Sequence, residues 1–211
     1  MGQPAAPDAS EAAIQALCRD GAHVEATTAA LQRYGVELLG FLRALAGDDD
    51  LAGDAFSELG EDVWTGLPRF RWESSLRSWL YALARNALTQ LRRDPRRRRD
   101  RNLPLSVAPE VEAVVRTVTR DIQRTEVKDE FRLLREQLDP EEHELLLLRL
   151  DRGLAWKDIA RIIGGPGGGP GGGPGGSTGD LDARAAALRK RFERARERLK
   201  KLAIERGLIG R

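Results

Sequence analysis

Three observations predict an all-α fold. Apolar residues recur at helical spacing along most of the chain. No segment sustains the two-residue alternation of a half-buried strand. Glycine, proline and short polar residues punctuate the pattern at helix-length intervals. At 211 residues the expectation is two small helical domains joined by an extended linker.

The elements follow in order. Leu31, Tyr34, Leu38, Phe41 or Leu42, and Leu45 line one helical face, and Gly47 stops that helix. A second helix runs from about Asp50 to Trp64 and ends near Gly66 and Pro68. A third is capped by Ser74 or Ser75, carries Leu76, Trp79, Leu80, Leu83, Ala87 and Leu91 inward, and ends at Asp94-Pro95. Residues 22–94 form the first expected domain. Pro95, four consecutive arginines, Pro104 and Pro109 then mark residues 95–118 as an extended linker. Within the second domain, 119–206, one helix passes through Ile122, Val127, Phe131, Leu134 and Leu138. Asp139-Pro140-Glu141-Glu142 starts another, with Asp as cap, Pro at the first position and acids in the first turn. A short helix follows, through Trp156, Ile159, Ala160, Ile162 and Ile163, closed by Gly164-Gly165. Residues 164–180 are a flexible Gly/Pro-rich insert, which cannot bury apolar surface. Leu181 to Ile204 forms the last helix, with Leu188, Phe192, Leu199 and Leu202 on one side and arginines around the rest. Residues 1–20 are compatible with either an unstructured tail or a short Ala-rich helix.

Composition excludes several classes. Cys18 is the single cysteine, so there is no disulfide scaffold. His23 and His143 stand far apart and the chain has one cysteine, so no metal site is expected. There is no nucleophile–base set, no phosphate-cradling loop and no strand ahead of the Gly-rich run, so neither an enzyme nor a cofactor is expected. No signal peptide and no membrane-length apolar run occur, which predicts a cytoplasmic protein.

Charge is balanced in total, with a net value of +2, yet segregated along the chain. Asp48 to Asp62 holds seven acids and no base, whereas Arg85 to Arg101 holds eight arginines against two aspartates. Between them lie three of the four tryptophans, in Val63 to Tyr81. Flat rings beside fixed positive charge suit unstacked bases on a phosphate backbone. Trp79 has core spacing and Trp64 can share it. Phe70, Arg71 and Trp72 fall in a loop without a helical face to bury, which favours binding. Asn86 is either a base-reading amide or a helix-packing hydrogen bonder. The acidic block reads as a second, protein-binding surface, or as a solvated face whose first acids favour the helix start.

The last helices suggest a helix-turn-helix, with Arg184, Arg189, Lys190, Arg191, Arg194 and Arg198 toward duplex DNA. Arg/Glu pairs such as Arg189–Glu193 allow a merely solvated helix instead. The insert interrupts the motif without abolishing it. Lengthening the turn about fourfold costs about 1.2 kcal/mol of closure entropy. Burying Leu188, Phe192 and Leu199 returns roughly 1.5–3 kcal/mol each.

The order of these segments resembles the bacterial RNA polymerase sigma factors of the extracytoplasmic-function (ECF) group of the sigma-70 family. Ala52-Gly53-Asp54-Ala55-Phe56-Ser57-Glu58 is similar to the family's clamp-docking helix. Leu67-Pro68-Arg69-Phe70 and Ser74 to Asn86, with its Trp-Leu-Tyr-x-x-Ala-Arg-Asn string, resemble the promoter-melting loop and helix. Gly153 to Ala160 and Arg191 to Leu199 are similar to the two helices of its duplex-reading domain. Ser57 stands where the family usually has Gln, Gly60 where it has Phe, and Ala187 and Lys190 where Thr and Ser are common.

The resemblance implies two partners, core RNA polymerase and promoter DNA, with an anti-sigma factor as a further partner of some relatives. It implies polymerase binding by Asp54, Ser57, Glu58, Glu61 and Asp62. It implies capture of the melted −10 strand by Phe70, Arg71, Trp72, Ser74, Ser75, Arg77, Arg85, Asn86, Arg92 and Arg93. It implies −35 duplex binding by Trp156, Lys157, Arg184, Arg189, Lys190, Arg191, Glu193 and Arg194. The linker is expected to thread past the polymerase cleft. Two rivals stand beside this reading: a stand-alone helix-turn-helix regulator acting on duplex operator, and a structural or RNA-binding helical adaptor.

Overall fold

The computed structural model describes residues 9–94, 137–164 and 178–206, together with 109, 111, 113–115, 117 and 118. The Gly/Pro repeat and the helix expected through Ile122, Val127, Phe131 and Leu134 lie outside the described residues. No strand occurs among the described residues, as an all-α fold requires. They cluster into two compact units, those up to 118 in one and those from 137 onward in the other.

The first unit contains α1 (Ala9–Arg19), α2 (His23–Ala46), α3 (Asp49–Gly66), a 3-10 turn (Leu67–Arg69) and α4 (Leu76–Arg93). Its boundaries are made by local chemistry. Gly47 takes the left-handed conformation (φ 69°) and returns its N–H to the Arg43 carbonyl, ending α2. Asp48 accepts from the Leu51 N–H at 2.6 Å and caps α3. Arg43 clamps the corner by donating to both carboxylate oxygens of Asp49, at 2.7 and 2.6 Å. The expected cap of α4 is Ser75, whose Oγ accepts from Ser78 N–H at 3.1 Å. Leu31, Leu38, Phe41 and Leu42 of α2 are buried with Phe56 and Leu59 of α3 and Leu80, Leu83 and Leu88 of α4. The Phe41 and Tyr81 rings meet edge to face at 5.0 Å.

The linker expectation needs correction at its far end. The residues described within 109–118 are helical rather than extended, and Val111, Val115 and Val118 are buried. Their spacing is an apolar helical stripe, which the flanking prolines obscure in the sequence. Two glycines make room for it. A Cβ on Gly60 would stand 3.0 Å from Val115 Cγ2, and one on Gly35 would stand 3.2 Å from Val118 Cγ2.

The second unit contains α5 (Pro140–Leu146), a π-helical turn (Leu147–Asp151), α6 (Trp156–Ile163) and α7 (Thr178–Glu205). Pro140 does open α5, but Asp139 makes no side-chain cap bond. Its carboxylate stands 3.7 Å from Arg198 instead. Leu145, Leu146, Leu147 and Leu148 are all buried. A regular α-helix would turn part of that run outward, and the π turn widens the coil where it would do so. Gly153, at φ 64°, reverses the chain into α6. On α7, Phe192 is buried, while Leu188 and Leu199 are only half-buried. Ala185, Ala195 and Ala203 are the other buried α7 residues, because small side chains let helices approach closely.

Candidate nucleic-acid interface

The loop between the 3-10 turn and α4 brings two rings, Phe70 and Trp72, against a third, Trp79 of α4. Phe70 packs against Trp79 with centroids 4.7 Å apart and an interplanar angle of 26°. Trp72 also leans on Phe70, at 4.9 Å and 53°. Trp79 and Phe70 are buried, whereas Trp72 is half-buried. The expectation that loop rings have nothing to bury against is therefore wrong for Phe70. α4 supplies the surface through Trp79, and Phe70 becomes the platform under Trp72. Trp72 has φ 57°, the single positive φ outside glycine among the described residues. A left-handed tryptophan costs about 1–2 kcal/mol, so the surrounding contacts must over-determine it.

Around these rings the polar residues divide by what they touch. Arg71 and Glu73 are exposed and 3.5 Å apart. Ser74 Oγ donates to the Ser75 carbonyl at 3.4 Å. Arg77 donates from Nε to both oxygens of Glu37, at 3.0 and 3.3 Å, and from Nη2 as well. Tyr81 adds its hydroxyl to Glu37 at 2.7 Å, and the Arg77 guanidinium lies 5.7 Å from the Tyr81 ring. Burial opposes the Arg77 cation, yet hydrogen bonding and charge from Glu37 outweigh it and raise its pKa above the usual arginine value. Arg77 is thus committed to an internal pair. Arg92 is also in use: it donates to the Leu45 carbonyl at 2.7 Å, at the end of α2. Arg85, Thr89 and Arg93, at four-residue spacing, share a face of α4 with Asn86. The first two and Asn86 are half-buried, and Arg93 is exposed.

The acidic candidates sit together on α3. Ala52, Ala55, Phe56, Leu59 and Val63 face the core. Asp54, Ser57, Glu58, Glu61 and Asp62 fall on the opposite side of the helical turn, all half-buried. Ser57 Oγ donates to the Gly53 carbonyl at 3.1 Å.

In the second unit Trp156 is the hub. Its ring meets Phe192 edge to face at 5.2 Å, and the guanidinium groups of Arg149 and Arg189 lie 5.0 and 5.7 Å from its centroid. Lys157 pairs with Asp182 at 2.8 Å and Arg184 with Asp180 at 2.8 Å. Arg191 pairs with Glu141, and Arg198 donates to the buried Glu142 at 2.8 Å. These last two arginines tie α7 to α5. Arg189, Lys190, Glu193 and Arg194 are exposed on α7.

One cluster had no sequence signal. Glu11, 4% exposed, is reached by the Tyr34 hydroxyl at 2.8 Å and by the amides of Leu76 and Arg77 at 3.1 and 3.0 Å. Burial first, and then the bond to Glu11, push the Tyr34 phenol up to about 12 against the lowering effect of Arg33. Partners 65 residues apart leave no local pattern to read.

A family comparison bears on part of the first unit. Residues 30–99 match the family model for Sigma-70 region 2. The match covers most of α2, all of α3 and α4, and the ring-bearing loop, and it covers less than half of the chain. It supports an RNA polymerase sigma factor of the sigma-70 family, with a role in promoter recognition. No curated protein and no solved structure matches the chain. Among the described residues, no helix is long and apolar enough to cross a membrane.

Proposed function

We propose that this chain is a promoter-specificity subunit of the ECF kind, which binds core RNA polymerase, opens the −10 element and reads the −35 element. One observation carries the reading: within the matched segment, a strained, half-buried Trp72 stands on Phe70 just ahead of α4, which carries Arg85 and Arg93 on one face, while α3 presents an acid-rich face. The acids Asp54, Glu58, Glu61 and Asp62, with Ser57, dock on the polymerase. Trp72 stacks on a parted base of the −10 strand, held from beneath by Phe70 and bordered by Arg71, Ser74 and Ser75. Arg85, Asn86 and Arg93 follow the strand along α4. Arg77 and Arg92 act indirectly, through Glu37 and the α2 carbonyls.

In the second unit, α7 serves as the −35 reader through Arg184, Arg189, Lys190, Glu193 and Arg194, with α6 supplying Trp156 and Lys157. An inhibitory partner protein in the resting cell fits the same reading. The test is run-off transcription by core polymerase on a library of candidate promoters. Specific initiation that depends on this chain is the expected result. Operator binding without any stimulation of polymerase would replace the proposal with a stand-alone duplex-binding regulator.

A further inference from the structure

α4 begins where the ring-bearing loop ends, and the first turn of any helix leaves backbone N–H groups without intrahelical partners. Here those of Leu76, Arg77 and Ser78 are taken by side chains. Ser75 Oγ takes the Ser78 amide at 3.1 Å. The amides of Leu76 and Arg77 point instead to a carboxylate from a different helix, at 3.1 Å to one oxygen of Glu11 and 3.0 Å to the other. The second of those oxygens also accepts from Tyr34 on α2, at 2.8 Å. Glu11 is 4% exposed. A buried carboxylate is tolerated because three donors converge on it and because the positive end of the α4 dipole favours a negative charge there.

The consequence is mechanical. α1 lies outside the segment 30–99 that matches region 2, yet its carboxylate joins α2 to the first turn of α4. Ser74 and Ser75 precede that turn, and Trp72, with its positive φ, lies three residues before Ser75. A left-handed tryptophan persists only where both ends of its loop are fixed. The Phe70–Trp79 stack fixes one end. The Glu11 bridge fixes the other.

We propose that Glu11 is a positioning residue for strand capture: its carboxylate, gripped by Tyr34, Leu76 and Arg77, locks the entry of α4 so that Trp72 is presented in one orientation. The inference rests on the reading of this loop as the strand-capturing element. It also assigns the residues before the matched segment a part in promoter opening. The α4 amides are occupied by Glu11, so a DNA phosphate does not bind there, and the loop engages the strand through its rings.

The experiment compares the full chain with Glu11→Ala and Glu11→Gln, well below the melting temperature of each. Three readouts are taken: affinity for core polymerase, permanganate reactivity of the −10 strand, and hydrogen exchange of the amides from Trp72 to Arg77. In Glu11→Ala, polymerase affinity is retained, permanganate reactivity falls about fivefold or more, and the Leu76 and Arg77 amides exchange at least about fivefold faster. Glu11→Gln keeps the shape and one carbonyl acceptor, so it recovers part of both losses. The proposal is overturned if opening and polymerase affinity fall in step, which signals only a loss of folded protein. Wild-type exchange at Leu76 and Arg77 in Glu11→Ala overturns it as well. Should the wild-type chain open no promoter, the strand-capture reading has failed. The exchange of Trp72 to Arg77 then decides alone whether Glu11 positions the loop.

Discussion

Trp72 shows how much one residue can be asked to hold. It combines a positive φ of 57° with a ring that is half-buried on Phe70. Trp72→Ala is expected to abolish strand capture, seen as loss of permanganate reactivity, while polymerase binding persists. Trp72→Gly should lose opening equally but be about 1 kcal/mol more stable than the alanine variant in thermal melts, since only alanine retains the left-handed strain. Tyr34 gives a pH signature. Its folded pKa is raised to about 12, above the ordinary value of 10.0, so the fold favours the neutral phenol. That stabilisation is complete below pH 10 and is lost as pH rises from there through 12. The phenolate absorbance of the folded protein should therefore have a late component near pH 12, and Tyr34→Phe should remove it.

At the scale of elements, helix boundaries are local matters and the docking of helices is not. Gly47, Asp48 and Ser75 act within a few residues of themselves, so their roles are readable in the linear pattern. The helical stretch within 109–118 depends on glycines far away in sequence, Gly35 and Gly60, that leave space for Val118 and Val115. Gly60→Phe fills that space. Protease cleavage and hydrogen exchange within 109–118 are expected to increase sharply. Those of α2 and α4 should change little, because Leu31, Leu38, Leu80 and Leu83 keep their own core. Undiminished protection of 109–118 would mean that this docking does not depend on the glycine.

Across the whole molecule, charge is segregated by element rather than spread. A net value of +2 conceals an acidic face on α3, a cationic face on α4 and an arginine-rich α7. The proposed function assigns these to polymerase, parted strand and duplex respectively, so they should be separable by mutation. Arg194→Glu is expected to weaken −35 duplex binding and to flatten its salt dependence, since a phosphate-facing cation becomes an anion. Core polymerase affinity, measured in parallel, should stay at the wild-type level. A parallel loss of both would show that α7 contributes to the polymerase contact.

The linear pattern alone specified the helical class, the ends of α2, α3 and α4, the acidic side of α3 and the ring-rich loop. Each of these depends on neighbours within one or two turns, where spacing and capping chemistry act directly. Packing assigned the rest. It buried Phe70 as a platform, drew Arg77 to Glu37 and Arg191 to Glu141, continued α5 into a π turn from Leu147, and brought Glu11 to the start of α4. The Arg77–Glu37, Arg191–Glu141 and Glu11–Leu76 contacts join residues 40, 50 and 65 positions apart. A side chain's charge or ring can be read from its letter, but which group it meets is settled only when helices close around a shared core.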